Sequence, residues 1–352
     1  MPDPAEGGNS TAMKPPVWWL RPTVWVFLPV SGMKLLLLAL LAVLVFVGMA
    51  GYGDFQDISG QLSQFPIVYI LAALALAGAN YGLRFIRWAY YLRVVKVKVP
   101  LGVSGLVFLS GLAMSITPGK AGELLKSYLL RDRAGVPVSV SAPVVIMERV
   151  TDVVSVVLLG LTGVALLPLP VLLALMAALA VTGAAMAVVF FRKGEHLFDL
   201  PFLRRWSGAL RASYAELRRL AEVRVMLVAL FLGLAAWFSE GLALWIILHG
   251  LDADTSLMRT LPIYAAATLV GAVTALPGGL VGTEGSMVAL LQQSGVTRGA
   301  ASAGTLLVRL ATLWFAVAIG MAALACLKKV RLVAVAASPA GEPDSFDLSA
   351  PS

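Results

Sequence analysis

Thr117-Pro118-Gly119-Lys120-Ala121-Gly122-Glu123 breaks an apolar run that starts near Leu101, reaches Ile116 and resumes through Leu130 before ending on Arg131 and Arg133. A bilayer-crossing helix needs about 20 consecutive apolar residues. Neither piece is that long, and both outer ends are basic, so the stretch reads as a re-entrant hairpin that enters and leaves on one side of a membrane. A second interruption follows the same plan. The run Leu261 to Leu276 stops at Pro277-Gly278-Gly279-Leu280-Val281-Gly282-Thr283-Glu284-Gly285 and then continues.

The composition around these breaks is that of an integral membrane protein. Of 352 residues 59% are hydrophobic and 13% charged, with a mean hydropathy of +0.89, whereas soluble domains carry about 25% charged residues. The thiol of Cys326 and the imidazoles of His196 and His249 are the only ones in the chain. That excludes a disulfide scaffold and makes a Cys/His metal site a poor reading. The formal charge of +8 is read as basic loops facing anionic headgroups, not as a nucleic-acid surface.

The fold expected is all-α and polytopic, with about six full spans plus the two broken hairpins. Apolar runs lie at about Leu35 to Ala50, Phe65 to Leu83, Val138 to Leu167, Val171 to Phe191, Val225 to Leu248 and Ala300 to Leu327. Gly48-Met49-Ala50 also resembles a signal-peptidase site, but the long segment ahead of the first run favours an uncleaved anchor. Arg84, Arg87, Arg93, Lys96 and Lys98 follow the second run, while Asp54 and Asp57 precede it. By the positive-inside rule this puts the N-terminus in the cytoplasm, and Lys328, Lys329 and Arg331 put the C-terminus there too. The expected organisation is a cytoplasmic segment 1–33, a membrane region 34–327 in a cell membrane, and a disordered tail 328–352. Within the membrane region the halves fall at about 34–167 and 170–327, with a basic linker 192–224 that suits an amphipathic interfacial helix.

The halves repeat one another. Gly119, Gly122, Gly135-Val136, Arg149 and Gly160 recur 160 positions later as Gly279, Gly282, Gly295-Val296, Arg309 and Gly320. The charge pattern gives the two halves opposite topology, and inverted repeats with broken helices mark transporters. Coincidence in a compositionally biased sequence is the competing explanation, and the paired Pro-Gly breaks weigh against it.

Charged residues inside the runs are the candidate site. Glu148, Arg149, Asp152, Glu240 and Arg309 each carry a burial cost on the order of 3 kcal/mol near a bilayer centre. Glu148, Arg149 and Asp152 share one helix face, so Arg149 can neutralise one carboxylate and the other needs a cation or a proton. Static interhelical pairs, Arg149 with Asp152 and Arg309 with Glu240 or Glu284, are the alternative to a polar pathway. At the breaks, free backbone N–H groups and the helix dipole favour an anion, with Lys120 adding charge and Gly119, Gly122, Gly278, Gly279 and Gly282 allowing close approach. Those glycines equally serve tight packing. Glu123 and Glu284 either cap the second arms or bind substrate or a proton.

This ordered set, Thr117 to Glu123, Glu148-Arg149-x-x-Asp152, Pro277-Gly278-Gly279 with Gly282-Thr283-Glu284-Gly285, and Arg309, resembles the lysylphosphatidylglycerol synthase transmembrane (flippase-like) family over about residues 34 to 327. The resemblance implies translocation of a phospholipid, such as aminoacylated phosphatidylglycerol or another lipid-linked headgroup. It does not imply synthase activity, because only a short tail follows residue 327 and the expected chain is no enzyme. A membrane-embedded enzyme using Glu148 or Asp152 as acid or base, and a membrane subunit of a separately encoded lipid transferase, are the competing functions. No Gly-Lys-Ser or Gly-Lys-Thr occurs, so no nucleotide loop is expected, and no cofactor, metal or nucleic-acid partner is called for. Oligomeric state is left open.

Overall fold

The computed structural model describes residue 48 and residues 55–117, 122–191, 207–274 and 276–329. Segment 1–33, the expected first span (apart from Gly48), Gly119, Lys120, the start of the basic linker and the tail beyond Lys329 lie outside the described residues. Those described form an all-α polytopic membrane protein.

Prolines set where helices start. A short α1 (Phe55–Gln64) precedes α2 (Ile67–Val94), which follows Pro66. Pro100 precedes α3 (Leu101–Leu112), Pro137 precedes α5 (Val138–Leu161) and Pro168 precedes α6 (Leu169–Phe190). Proline's fixed φ suits a first turn, and its missing N–H would be unsatisfied there anyway. Between them α3 runs into a 3₁₀ turn, Ala113–Ile116, and after the break α4 (Leu125–Ala134) returns to end on Gly135 in the left-handed region. Then come α7 (Ser207–Leu220), α8 (Val223–Gly250), α9 (Leu257–Val273), a 3₁₀ turn Pro277–Gly279, α10 (Gly282–Gln293) and α11 (Arg298–Arg309). A π-helical turn, Leu310–Trp314, leads into α12 (Phe315–Lys329).

Four stretches, 67–94, 169–190, 223–250 and 298–327, are long and apolar enough to cross a membrane. Helix α5, at 24 residues, is about 36 Å long but carries three charges in its middle. Helix α6 buries only Leu175 and exposes Leu169, Val181 and Phe190, as expected of a lipid-facing span.

The repeat is built into the packing. Helices α2 and α8, both 28 residues, pack along each other. They run antiparallel, since Tyr69 near the start of α2 meets His249 at the end of α8 with ring centroids 6.0 Å apart, and Asn80 Nδ2 donates to the Ala236 carbonyl midway at 2.8 Å. The halves also exchange partners: α5 lies against the second hairpin's α9, and α12 against the first hairpin's α3. At the latter crossing a Cβ on Gly320 would collide with the backbone of Ala113, whereas its repeat mate Gly160 faces the flexible Leu175 side chain at 3.1 Å. Gly135 and Gly295, also 160 apart, both end second arms with positive φ. Close helix approach through small residues is how packing is gained where lipid removes the hydrophobic incentive.

One expectation is corrected and one is met. The second span does not stop near Leu83; α2 continues to Val94, so Arg84 and Arg87 are buried helix residues and not part of the loop charge. Their burial is sustained by carboxylates on other elements, described below. The basic linker does contain an amphipathic helix, α7, which packs on α5 and α6 through Tyr214, whose hydroxyl donates to the Val188 carbonyl at 3.0 Å.

Candidate functional site

The two breaks share a construction. In the first, Thr117 Oγ1 donates to the Met114 carbonyl at 2.6 Å and accepts from the Gly122 N–H at 3.0 Å. In the second, Thr274 Oγ1 donates to the Gly271 carbonyl at 2.8 Å. In each break the terminal threonine hydroxyl folds back onto the carbonyl three residues earlier and reinforces the last turn. A Cβ on Gly122 would stand 2.8 Å from Thr117, and one on Gly282 2.7 Å from Thr274. These two glycines serve tight packing of arm on arm.

Behind each break an arginine of the following span reaches the carboxylate that opens the second arm. Arg149 Nη2 lies 2.9 Å from Glu123, and Arg309 Nε donates to Glu284 at 2.6 Å. Arg309 Nη2 also donates to the Gly278 carbonyl at 2.6 Å, pinning a turn in which Gly278, Gly279 and Val281 have φ of +63°, +67° and +69°. Glycine accepts this backbone freely; β-branched Val281 is strained there by about 1–2 kcal/mol.

The capping expectation for Glu123 and Glu284 is therefore corrected. Neither α4 nor α10 has a side-chain cap, because each carboxylate is drawn to an arginine of the next span instead, Glu123 to the half-buried Arg149 and Glu284 to the buried Arg309. The second carboxylate of α5, expected to need a cation or a proton, has a cation from within the chain. Glu148, fully buried, is met by Lys126 Nζ at 2.5 Å. Lys126 in turn lies 3.4 Å from Glu123 and stands over the Trp88 ring, 4.9 Å from its centroid. Asp152 gathers Arg87 Nη2 at 2.6 Å, Arg149 Nη2 at 2.9 Å and Arg84 Nη2 at 3.6 Å. The Trp237 indole N–H lies 3.3 Å from the same carboxylate. Of the two partners the sequence allowed Arg309, the structure selects Glu284; Glu240 accepts from the Tyr264 hydroxyl at 2.7 Å.

These elements enclose a cavity of about 270 Å³. Its wall holds Tyr81 and Arg84 of α2, Ser115 and Thr117 of the first hairpin, Arg149 and Asp152 of α5, and Trp237 and Glu240 of α8. Tyr264, Gly278 and Gly279 of the second hairpin add to it with Arg309 and Thr312, and apolar side chains such as Val156, Leu276 and Leu313 line the rest. The hairpins meet there, the end of the first arm against the second turn: a Cβ on Gly278 would be 3.4 Å from the Ile116 side chain. The π-turn contributes as well, since it presents the Thr312 carbonyl to the Tyr81 hydroxyl at 2.6 Å, and π-turns recur at functional sites. Glu123, Glu148, Gly122, Gly282 and Glu284 are not on the wall; they hold it from behind. Among the described residues, no group of three His, Cys, Asp or Glu side chains is placed to hold a metal ion.

Arg84, Arg87 and Lys126 are site residues that the sequence reading missed. The available signals were the i, i+3 spacing of Arg84 and Arg87 at the end of an apolar run, and a lone lysine within Leu124-Leu125-Lys126-Ser127-Tyr128-Leu129-Leu130.

Residues 34–320 match the family described as the lysylphosphatidylglycerol synthase TM region. A UPF0104 membrane protein of Methanothermobacter thermautotrophicus is 25% identical over 327 residues, covering 84% of this chain and 95% of that protein. A second from the same organism is 23% identical over 279 residues, covering 71% and 81%. Glycosyltransferase AglD of Haloferax volcanii is 28% identical over 131 residues, which is 37% of this chain and 21% of that protein.

Proposed function

This chain belongs to the lysylphosphatidylglycerol synthase transmembrane family, and we propose that it is a lipid translocase, not an enzyme, that moves a phospholipid headgroup through the cavity between its two broken hairpins. The observation that carries the reading is the meeting of the two broken hairpins, from antiparallel halves, at one cavity that brings charged side chains into an apolar bundle. Alternating access follows from that symmetry: either hairpin can swing while the other stays closed, exposing the cavity to one leaflet at a time. Aminoacylated phosphatidylglycerol and other lipid-linked headgroups are the substrate classes. In this reading the molecule sits in the cell membrane with both termini and the basic 192–224 segment in the cytoplasm. The carboxylates an enzyme would use, Glu148 and Asp152, are engaged by buried cations, which favours a binding path over proton-transfer chemistry.

The test is leaflet exchange of fluorescent anionic and aminoacylated phospholipids in liposomes. Wild type exchanges lipid, and Asp152→Asn, Arg309→Gln and Lys120→Ala slow exchange at least tenfold. Absence of exchange for every lipid, in folded protein, sinks the proposal. A second reading, favoured by the similarity to glycosyltransferase AglD, makes the chain the membrane subunit of a separately encoded lipid transferase. In that case carboxylate substitutions leave activity of the complex intact while changes on α7 abolish it.

A further inference from the structure

The last span is a single length of chain that belongs to both hairpins. Its first part, α11, lies against α10 of the second hairpin, whereas its second part, α12, lies against α3 and the 3₁₀ turn of the first. Between them, over Leu310–Trp314, the helix widens to a π-turn in which the Phe315 N–H donates to the Leu310 carbonyl, five residues back. Such turns are among the few places where a long helix bends sharply. Both flanks are anchored. Gly320 brings α12 into backbone contact with Ala113, and Arg309 ties α11 to Glu284 and the Gly278 carbonyl. The joint between them is held to α2 by the Tyr81 hydroxyl, which donates to the Thr312 carbonyl at 2.6 Å.

The equivalent span of the first half has no such joint. Residues 150–154, 160 positions earlier, lie within continuous α5, where Asp152 is bound to Arg87 of α2 at 2.6 Å. Helix α5 likewise reaches both hairpins, meeting α4 of the first and α9 of the second. Its weak point is Pro143, which leaves the Ser139 carbonyl without its helical partner, and the Ser213 hydroxyl of α7 donates to that carbonyl at 2.9 Å. One bridge between the hairpins is therefore stiff and braced, and the other is jointed.

We propose that Leu310–Trp314 is a hinge about which α12 and α3 turn as one body against α11 and α10, with the Tyr81 hydroxyl as the pin that limits the turn. Thr312 and Leu313 lie on the cavity wall, and a Cβ on Gly278 would be 3.3 Å from Leu313 and 3.4 Å from Ile116. Movement at the joint draws Leu313 and Ile116 off the second hairpin's turn and widens the cavity. Use of this movement for alternating access rests on the translocase reading; the hinge itself does not.

The experiment measures spin-label distances by pulsed electron paramagnetic resonance in the full chain in lipid nanodiscs. Cys326, the single thiol, is exposed on α12 and carries one label. Ala289→Cys, at an exposed position of α10, carries the other. A control pair, Leu158→Cys on α5 with Ala289→Cys in a Cys326→Ser background, spans no joint. The α12–α10 distance distribution is expected to be about twice as broad as the α5–α10 control. Deletion of the exposed Leu310 returns the π-turn to α-helical bonding and narrows the α12–α10 distribution to the control width. Tyr81→Phe, which removes only the hydroxyl and serves if the deletion variant does not fold, broadens that distribution by about half and leaves the control alone. Equal widths for the two pairs in wild type, or an α12–α10 width that either folded variant leaves unchanged, overturns the hinge. Leaflet exchange is scored separately. A wild type that hinges but exchanges no lipid removes the translocase reading and leaves the hinge standing, whereas full exchange by the deletion variant overturns the hinge's part in transport and leaves the translocase.

Discussion

Behind the first hairpin's break stand seven charged side chains, Arg84, Arg87, Lys126, Arg149, Glu123, Glu148 and Asp152; around the second the described residues place three, Arg309, Glu284 and Glu240. The backbones are nevertheless alike: each break has a terminal threonine bonded to a carbonyl three residues back, a packed glycine, and a carboxylate reached by an arginine of the next span. The difference teaches how one repeat can be made sturdy and the other responsive. In the first half Arg84, Lys126 and Arg149 each keep a second carboxylate when one is lost, whereas Arg87 pairs with Asp152 alone among the described ion pairs. In the second half Arg309 alone ties α11 to both the second arm and the tip of the turn.

The largest effect is expected at the point of convergence. Asp152→Asn leaves the fully buried Arg87 without its 2.6 Å carboxylate contact, while Arg149 keeps Glu123 at 2.9 Å; an uncompensated buried charge costs about 3–5 kcal/mol, which thermal unfolding in detergent reads as a large drop in Tm. Glu284→Gln comes next at about 3 kcal/mol, and it is expected to exceed Glu123→Gln, at about 1–2 kcal/mol, because Arg149 retains Asp152 and Lys126 retains Glu148. Equal losses measured for the two would break the comparison. Gly320→Ala costs about 2 kcal/mol by pushing α12 off the α3 backbone, while Gly160→Ala costs under about 1 kcal/mol because a leucine side chain can yield; their unfolding midpoints in denaturant separate the two. Last, and opposite in sign, is Val281→Gly, which relieves the positive-φ valine and stabilises by under about 1 kcal/mol. A rise in Tm with slowed leaflet exchange would sharpen the comparison, by showing that strain at the second turn serves movement.

Much of this architecture could be read along the chain. The Pro-Gly breaks at 117–123 and 277–285, the spans and the glycines and arginines 160 positions apart are properties of local stretches, and Gly135 with Gly295, and Arg149 with Arg309, occupy equivalent places in the fold. Charge pairing was not legible in the same way. Arg84 and Arg87 look like loop residues when a span is closed at the first positive charge, and Lys126 looks like an arm residue facing solvent. A guanidinium next to apolar neighbours carries no local mark of whether it ends a helix or continues it.

By itself the sequence determined that the chain is helical and membrane-spanning, that two helices are interrupted, and that its halves correspond. It could do so because hydropathy, proline geometry and the need to satisfy backbone hydrogen bonds in lipid act over a few turns. Only the tertiary structure decided which cation answers which carboxylate. Arg87 and Asp152 are 65 residues apart in the chain, and the low-dielectric interior that makes their pairing obligatory exists only once α2, α5 and α8 have packed together.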